Sequence, residues 1–160
     1  MTAKLAITRG LFVLLDEADL ERAAAFSWTA TPQDKVAMGH YACTHIAGRT
    51  VYMHRWLLEA PKGRQVDHIN RDGLDNRRAN LRLCNQSQNN ANAQRLLGRS
   101  GLRGVYWDSQ YQKWAAAIWI NGKERRLGRF ADKFHAARIR DAAAKEAYGE
   151  FATLNFPESA

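Results

Sequence analysis

Val66-Asp67-His68-Ile69, then Asp75-Asn76-Arg77-Arg78-Ala79-Asn80-Leu81-Arg82-Leu83, then Gln88-Asn89-Asn90-Ala91-Asn92 follow one another in one asparagine-rich stretch. Residues 61–95 hold seven asparagines (Asn70, Asn76, Asn80, Asn85, Asn89, Asn90, Asn92) and few large apolar side chains. Asparagine is a poor interior residue for helices and strands, and favours turns, caps and ligand contacts. A solvated polar loop would not explain the short apolar cores at 66–69 and 81–84. Those cores predict two strands, with a helix starting near Ser87 as its cap. A strand–loop–strand–helix order of this kind brings Asp67, His68 and the start of the helix together.

The residue types at that meeting point carry a chemistry. An aspartate oxygen and an asparagine carbonyl are hard donors, suited to Mg²⁺ or Mn²⁺ rather than Zn²⁺. Two protein ligands leave several positions of an octahedron open, which a phosphodiester needs. The adjacent His68 has an ordinary side-chain pKa near about 6.5, right for deprotonating water at neutral pH.

These residues resemble the HNH nuclease family, in particular the homing-endonuclease branch found in phages and introns. The family pattern has a histidine after an aspartate, an asparagine about twelve residues on, and a histidine or asparagine about nine further; here these are His68, Asn80 and Asn89. Asn80 is followed by Leu81-Arg82 as in the family, and Met53-His54-Arg55 and Leu74-Asp75-Asn76-Arg77-Arg78 add to the likeness over residues 53–92. The resemblance implies a small ββα-metal unit in which His68 is the general base and Asp67 and Asn89 hold one divalent metal. Asn80 would fix the loop that carries His68. The presence of Asn89 in place of a final histidine favours oxygen-ligated Mg²⁺, with Mn²⁺ as a substitute. Arg71, Arg77, Arg78, Arg82 and Asn92 are expected on the DNA.

Outward from this core, Thr8-Arg9-Gly10 between two apolar runs predicts a hairpin, followed by a helix over 16–25 capped by Asp16. Strand-like pieces are expected at 27–31, 40–46 and 50–52, and a short helix at 53–60. Residues 94–100 read as a linker. Beyond it, 104–107, 114–120 and 125–130 predict three strands, with Asn121-Gly122 as a hairpin turn. A helix is expected from Asp132 to Tyr148, stopped at Gly149. Ala136, Ala143, Ala147 and Ile139 recur on it at helical spacing.

Arg103-Gly104-Val105-Tyr106-Trp107, Lys113-Trp114-Ala115-Ala116-Ala117-Ile118 and Leu127-Gly128-Arg129-Phe130 resemble the DNA-binding domain of APETALA and ethylene-response transcription factors. That resemblance implies a sheet lying in a major groove about 12 Å wide. Its DNA-facing positions map to Arg103, Trp107, Trp114, Arg125 and Arg126. Strand alternation puts Trp114, Ala116 and Ile118 on one face and Ala115, Ala117 and Trp119 on the other. Small Ala115 and Ala117 suit packing under the helix, which turns Trp114 outward and makes Trp119 a core residue; for Trp107 both placements stay open.

Charge agrees with a nucleic-acid partner. Residues 61–130 hold 14 basic and 5 acidic side chains, whereas 1–60 hold 6 of each and 131–160 hold 4 and 5, so the net charge of +8 arises in the middle of the chain. At 46% hydrophobic residues, the 160-residue chain is foldable rather than disordered. No apolar run is long enough to cross a membrane. Residues 1–10 lack the apolar core of a signal peptide. Cys43 and Cys84 cannot make a disulfide framework, which suits reducing cytoplasm.

The expectation is an α+β protein. Residues 1–95 form an HNH-type nuclease domain, with a β-rich part at 1–52 and the ββα-metal core at 53–92. Residues 96–160 form a three-stranded antiparallel sheet on one helix. The expected function is metal-dependent cleavage of double-stranded DNA by a monomer or weak dimer, with no small-molecule cofactor. The competing reading is a repressor-like DNA-binding protein whose HNH unit is inactive.

Overall fold

Strands β1 (Thr2–Ala6) and β2 (Phe12–Asp16) pair antiparallel, and alternation in β2 buries Val13 and Leu15 completely while Phe12 is 55% exposed. The expected turn between them is a 3₁₀ turn at Thr8–Gly10, with Arg9 and Gly10 in left-handed conformations. The computed structural model describes residues 1–32, 39–93 and 97–157. It forms two compact units, Met1–Asn89 and Asn90–Ala160. Residues 94–96 of the expected linker, and with them the expected boundary at 95/96, lie outside the described residues.

In the first unit, helix α1 (Glu17–Ala24) begins where expected, but Asp16 does not cap it with its side chain. Its carboxylate accepts the backbone N–H of Arg78 at 2.8 Å instead. Strands β3 (Thr29–Pro32), β4 (His40–Ile46) and β5 (Arg49–Tyr52) make an antiparallel sheet in that order. Helix α2 (Met53–Leu57) stops short of the expected residue 60. Glu59 turns left-handed, and the Arg55 guanidinium takes the carbonyls of Ala60, Pro61 and Arg64.

Strands β6 (Gln65–His68) and β7 (Leu81–Cys84) pair antiparallel, and helix α3 (Gln86–Asn92) follows. The cap of α3 is Asn85 rather than Ser87. Asn85 Oδ1 accepts from Gln88 N, and Gln88 Oε1 accepts from Asn85 N, both at 2.9 Å. This is the reciprocal capping box, with Gln in the acceptor role three residues in. The core of this unit joins Val13, Leu15, Trp28, Met53, Leu57, Val66 and Leu81. Phe26, Trp28 and Trp56 pack edge to face or tilted around it, and Trp28 Nε1 donates to the Ala23 carbonyl.

The loop between β6 and β7 is tied to the N-terminal hairpin. Leu14 bridges Asp75, donating to the Leu74 carbonyl and accepting from Asn76 N at 2.9 and 2.8 Å. Arg78 grips the carboxylate of Asp19, which is only 3% exposed, with two bonds of 2.8 and 2.9 Å.

In the second unit, β8 (Val105–Asp108), β9 (Lys113–Ile120) and β10 (Lys123–Phe130) form an antiparallel sheet with β9 central. Helix α4 (Lys133–Tyr148) is capped by the Asp132 side chain through His135 N, as expected. Asn121 and Gly122 both take positive φ, as the mirror-type hairpin turn requires. Gly104 is compulsory, because a Cβ there would lie 2.5 Å from the Ala117 carbonyl oxygen.

The faces of β9 are the reverse of the expected ones. Ala116, with Trp114 beside it, and Ile118 pack under α4, against Ala136, Ala137, Ala143 and Ala144. The small side chains at this contact belong to the helix, so the sheet beneath has room for Trp114 and Ile118. Ala115 and Ala117 lie on the opposite face, opposite Arg129 and Arg126 in the ladder, and Trp119 on that face is 61% exposed. On α4 the buried stripe takes Arg140 and Asp141 with the alanines, while Ile139 and Ala147 face outward. Asp141 accepts from Asn155 N and Phe156 N, which pins the tail to the helix.

The Arg78–Asp19 pair makes stability depend on pH. The bond from Arg78 holds the Asp19 carboxyl below its ordinary 3.8, so its contribution is complete above that value and is lost as pH falls through the lowered native one. Urea unfolding of the parent from about pH 6 to about pH 2 should therefore show a steeper acid loss than Asp19→Asn. Equal slopes would remove the pair from this role.

Candidate active site

His68 ends β6 and is 5% exposed. Its ring meets His54 edge to face, with centroids 5.0 Å apart, and lies 5.7 Å from the Tyr41 ring. Burial pushes the His68 imidazole below its ordinary pKa; the Asn76 side chain and the carboxylates of Asp67, Asp72 and Asp75 push it back up. The neutral ring, the form that can accept a proton, is therefore favoured.

Asp67 lies directly opposite Arg82 in the β6–β7 ladder, and antiparallel register brings their side chains together. Arg82 Nε and one terminal nitrogen approach Asp67 Oδ2 at 2.9 and 2.8 Å. Asn80 closes the loop after His68. Its Oδ1 accepts from Asn70 N at 3.0 Å, and its Nδ2 donates to Asn70 Oδ1 and the Asp75 carbonyl at 2.9 and 2.8 Å. Asp75, 2% exposed, is held by Asn70 Nδ2 and by two bonds from Arg77. Asn70, Asp75 and Asn76 were not expected to take part; their common signal was being polar residues in a segment with an apolar frame.

Asn89 stands half-buried on α3 and lines an open cleft of about 490 Å³ together with His54, Gln65, Tyr41 and Tyr52. Asn89 Nδ2 donates to Gln65 Oε1, and Gln65 Nε2 donates to Gln86 Oε1, both at 2.6 Å. The contact with Gln65 uses the N–H side of the Asn89 amide. Asp67 follows Gln65 by two residues on the same face of β6. One carboxylate and amide oxygens suit a hard divalent ion with few protein ligands. No cluster of three or more His, Cys, Asp or Glu side chains able to hold a metal occurs among the described residues.

The expected DNA-contacting residues divide. Arg71 is exposed, in a left-handed turn whose N–H returns to the His68 carbonyl. Arg77, Arg78 and Arg82 hold Asp75, Asp19 and Asp67, and their side chains are 40%, 48% and 11% exposed. Asn92 is buried. Arg103 turns its guanidinium to the carbonyls of Asn90, Ala91 and Ala93, around the C-terminal end of α3, where carbonyls lack helical partners.

Trp114 packs on the helix side of its sheet, with Trp107 against it at 5.1 Å and 46% exposed. Arg125 and Arg126 are exposed. The opposite face carries Trp119, which was expected in the core, and two tyrosines to which the sequence reading gave no role. Trp119, Tyr106 and Tyr111 are exposed there, and Arg129 lies 3.8 Å over the Tyr111 ring while paired to Asp108 at 2.7 Å. A bulge between Arg126 and Gly128 shifts the register, which puts both Arg126 and Arg129 on this face. Simple alternation could not have found that.

Residues 51–91 match the protein family described as HNH endonuclease, a span that includes α2, β6, β7 and nearly all of α3. The chain is similar to an uncharacterized HNH endonuclease of Acanthamoeba polyphaga mimivirus, with 30% identity over 109 residues, covering 64% of this chain and 56% of that protein. It is also similar to Protein 3.8 of Escherichia phage T7, with 29% identity over 93 residues, covering 58% of this chain and 76% of that protein. The match thus spans little more than half the length of the mimivirus relative. No solved structure matches at a significant level. Among the described residues, no helix is long and apolar enough to cross a membrane.

Asn80→Ala removes three hydrogen bonds, two to Asn70 and a buried one to the Asp75 carbonyl. Equilibrium unfolding in denaturant should show a loss of about 2–3 kcal/mol. A loss below about 0.5 kcal/mol, the size expected of a surface change, would mean that Asn80 does not hold the loop.

Proposed function

We propose that this chain is a metal-dependent endonuclease of HNH type that hydrolyses phosphodiester bonds in duplex DNA. The observation that carries the reading is a coincidence of place. The segment similar to HNH endonucleases is the one in which a buried His68 ends a strand, braced by Asn80, next to a cleft lined by Asn89.

In this reading His68 takes a proton from the attacking water, whose oxygen bonds to phosphorus as the P–O3′ bond breaks; the leaving 3′ oxygen is protonated by solvent water, giving a 5′-phosphate and a 3′-hydroxyl. Asp67 and Asn89 would hold a Mg²⁺ or Mn²⁺ ion, which would supply Lewis-acid stabilisation of the charge on the phosphate and the leaving oxygen. Arg82 holds the Asp67 carboxylate in place across the ladder. Asn80 keeps the loop behind His68 fixed, so the ring does not have to be ordered at the moment of reaction. The exposed Arg71, and the exposed parts of Arg77 and Arg78, are the loop's contacts to the DNA backbone.

The second unit would add to duplex binding through the open face of its sheet, where Arg126, Trp119 and Tyr106 stand exposed. The rival reading, a non-catalytic DNA-binding protein, keeps this surface and the basic loop but gives no use to His68.

Supercoiled plasmid incubated with Mg²⁺, Mn²⁺ or EDTA, beside His68→Ala, tests the activity. Metal-dependent nicking or linearisation that is lost in the variant is the expected result. DNA of the source organism covers the case of a strict target. If neither substrate is cut in either metal while both are bound, the rival reading replaces this one. The surface is tested separately: Arg126→Ala and Trp119→Ala should weaken DNA binding several-fold, by about 1–2 kcal/mol, and leave the melting temperature unchanged. Trp114→Ala should lower the melting temperature. The reverse pattern would place DNA on the helix side.

A further inference from the structure

His54 is a polar residue in an apolar place. It lies on α2 between the buried Met53 and Leu57 and is 8% exposed. Its ring stacks on Tyr52 at 5.7 Å, with Tyr41 at 5.2 Å and His68 edge to face at 5.0 Å. Its Nδ1 is fully buried with no hydrogen-bond partner among the described residues. A buried polar atom left unsatisfied costs about 1–3 kcal/mol. A phenylalanine would fill the same aromatic slot without that cost, so the fold alone gives no reason for an imidazole.

The site gives one. His54 lines the same cleft as Asn89 and Gln65 and stands directly against His68. Burial, and after it the electrostatic influence of the neighbouring His68 and Arg55, push its pKa down to about 3, which favours a neutral ring with one N–H and one lone pair. A phosphate oxygen accepts hydrogen bonds, and an imidazole N–H is a directional donor to it.

The geometry assigns His54 to the substrate: with a DNA strand in the cleft, its imidazole donates a hydrogen bond to a phosphate oxygen beside the phosphodiester on which His68 acts. This role rests on the nuclease reading. It makes His54 a second histidine of the site, distinct from the base and from the residues that would hold a metal.

The test uses the full chain with His54→Phe and His54→Gln, read by single-turnover plasmid cleavage in Mg²⁺, DNA affinity in EDTA and thermal melting. His54→Phe should melt at or above the parent temperature and cleave about a hundredfold more slowly at saturating protein. His54→Gln, which keeps a side-chain N–H, should recover part of the rate. If His54→Phe cleaves as fast as the parent, the assignment falls while the nuclease reading stands. If the parent itself cuts nothing, the nuclease reading falls, and imidazole NMR signals judge the contact. The signal missing from His54→Gln should shift when a short DNA duplex is added in EDTA. An unmoved signal in the presence of bound duplex, or no binding of duplex at all, overturns the contact. The same NMR titration decides the matter if His54→Phe fails to fold.

Discussion

The twelve residues between β6 and β7 have one 3₁₀ turn, Arg78–Asn80, and little other regular structure to satisfy their own backbone, and the site depends on how that need is met. Buried peptide groups must find partners. Here Asn80 supplies both an acceptor and a donor, Asn70 and Asp75 complete the set, and Ile69 N bonds the Asn80 carbonyl. The same bonds that solve this accounting problem fix the turn immediately after His68. The polarity of the segment is thus structural before it is chemical. The N-terminal hairpin belongs to the same arrangement, because Leu14 provides the loop with a strand edge it does not otherwise have.

The basic character of the middle of the chain also changes meaning once partners are known. Arg77, Arg78, Arg82 and Arg129 each face a carboxylate, and Arg55 and Arg103 bind carbonyl oxygens. These guanidiniums act as internal braces, a use that suits their planar, multi-donor geometry. The charge left for a polyanion is smaller than the composition suggests. Exposed basic side chains of the stretch include Lys62, Arg64, Lys113, Lys123 and Arg125, while Arg126 stands 3.9 Å from the Glu124 carboxylate.

Most element positions were legible because they rest on local signals. Alternation marked β2, Asn121-Gly122 marked the turn after β9, and Asp132 and Gly149 marked the ends of α4. The cap of α3 was misplaced by two residues because Ser87 is a good cap by type, whereas the reciprocal bonds with Gln88 decide for Asn85. The faces of β9 were misread for a different reason. Two alanines suggested a close contact, but closeness is a property of the pair of surfaces, and here the helix contributes the small residues. Of the site, the spacing of Asp67, His68, Asn80 and Asn89 was visible in the chain. The partners of each were not, since Arg82, Gln65 and His54 meet them only through strand register and tertiary packing.

The attachment of the loop to the amino-terminal hairpin has a consequence for the order in which the molecule assembles. Arg78 joins Asp16 and Asp19 across sequence separations of 62 and 59 residues. Closing a loop of that length has an entropic cost that is recovered only when the distant segment arrives. During synthesis the first hairpin leaves the ribosome with its strand edge and two carboxylates still waiting. The loop behind His68 acquires its brace at the same late moment. A chain interrupted before Arg78 therefore lacks both the brace and the loop that it holds, so this part of the fold and the setting of the histidine mature in one step.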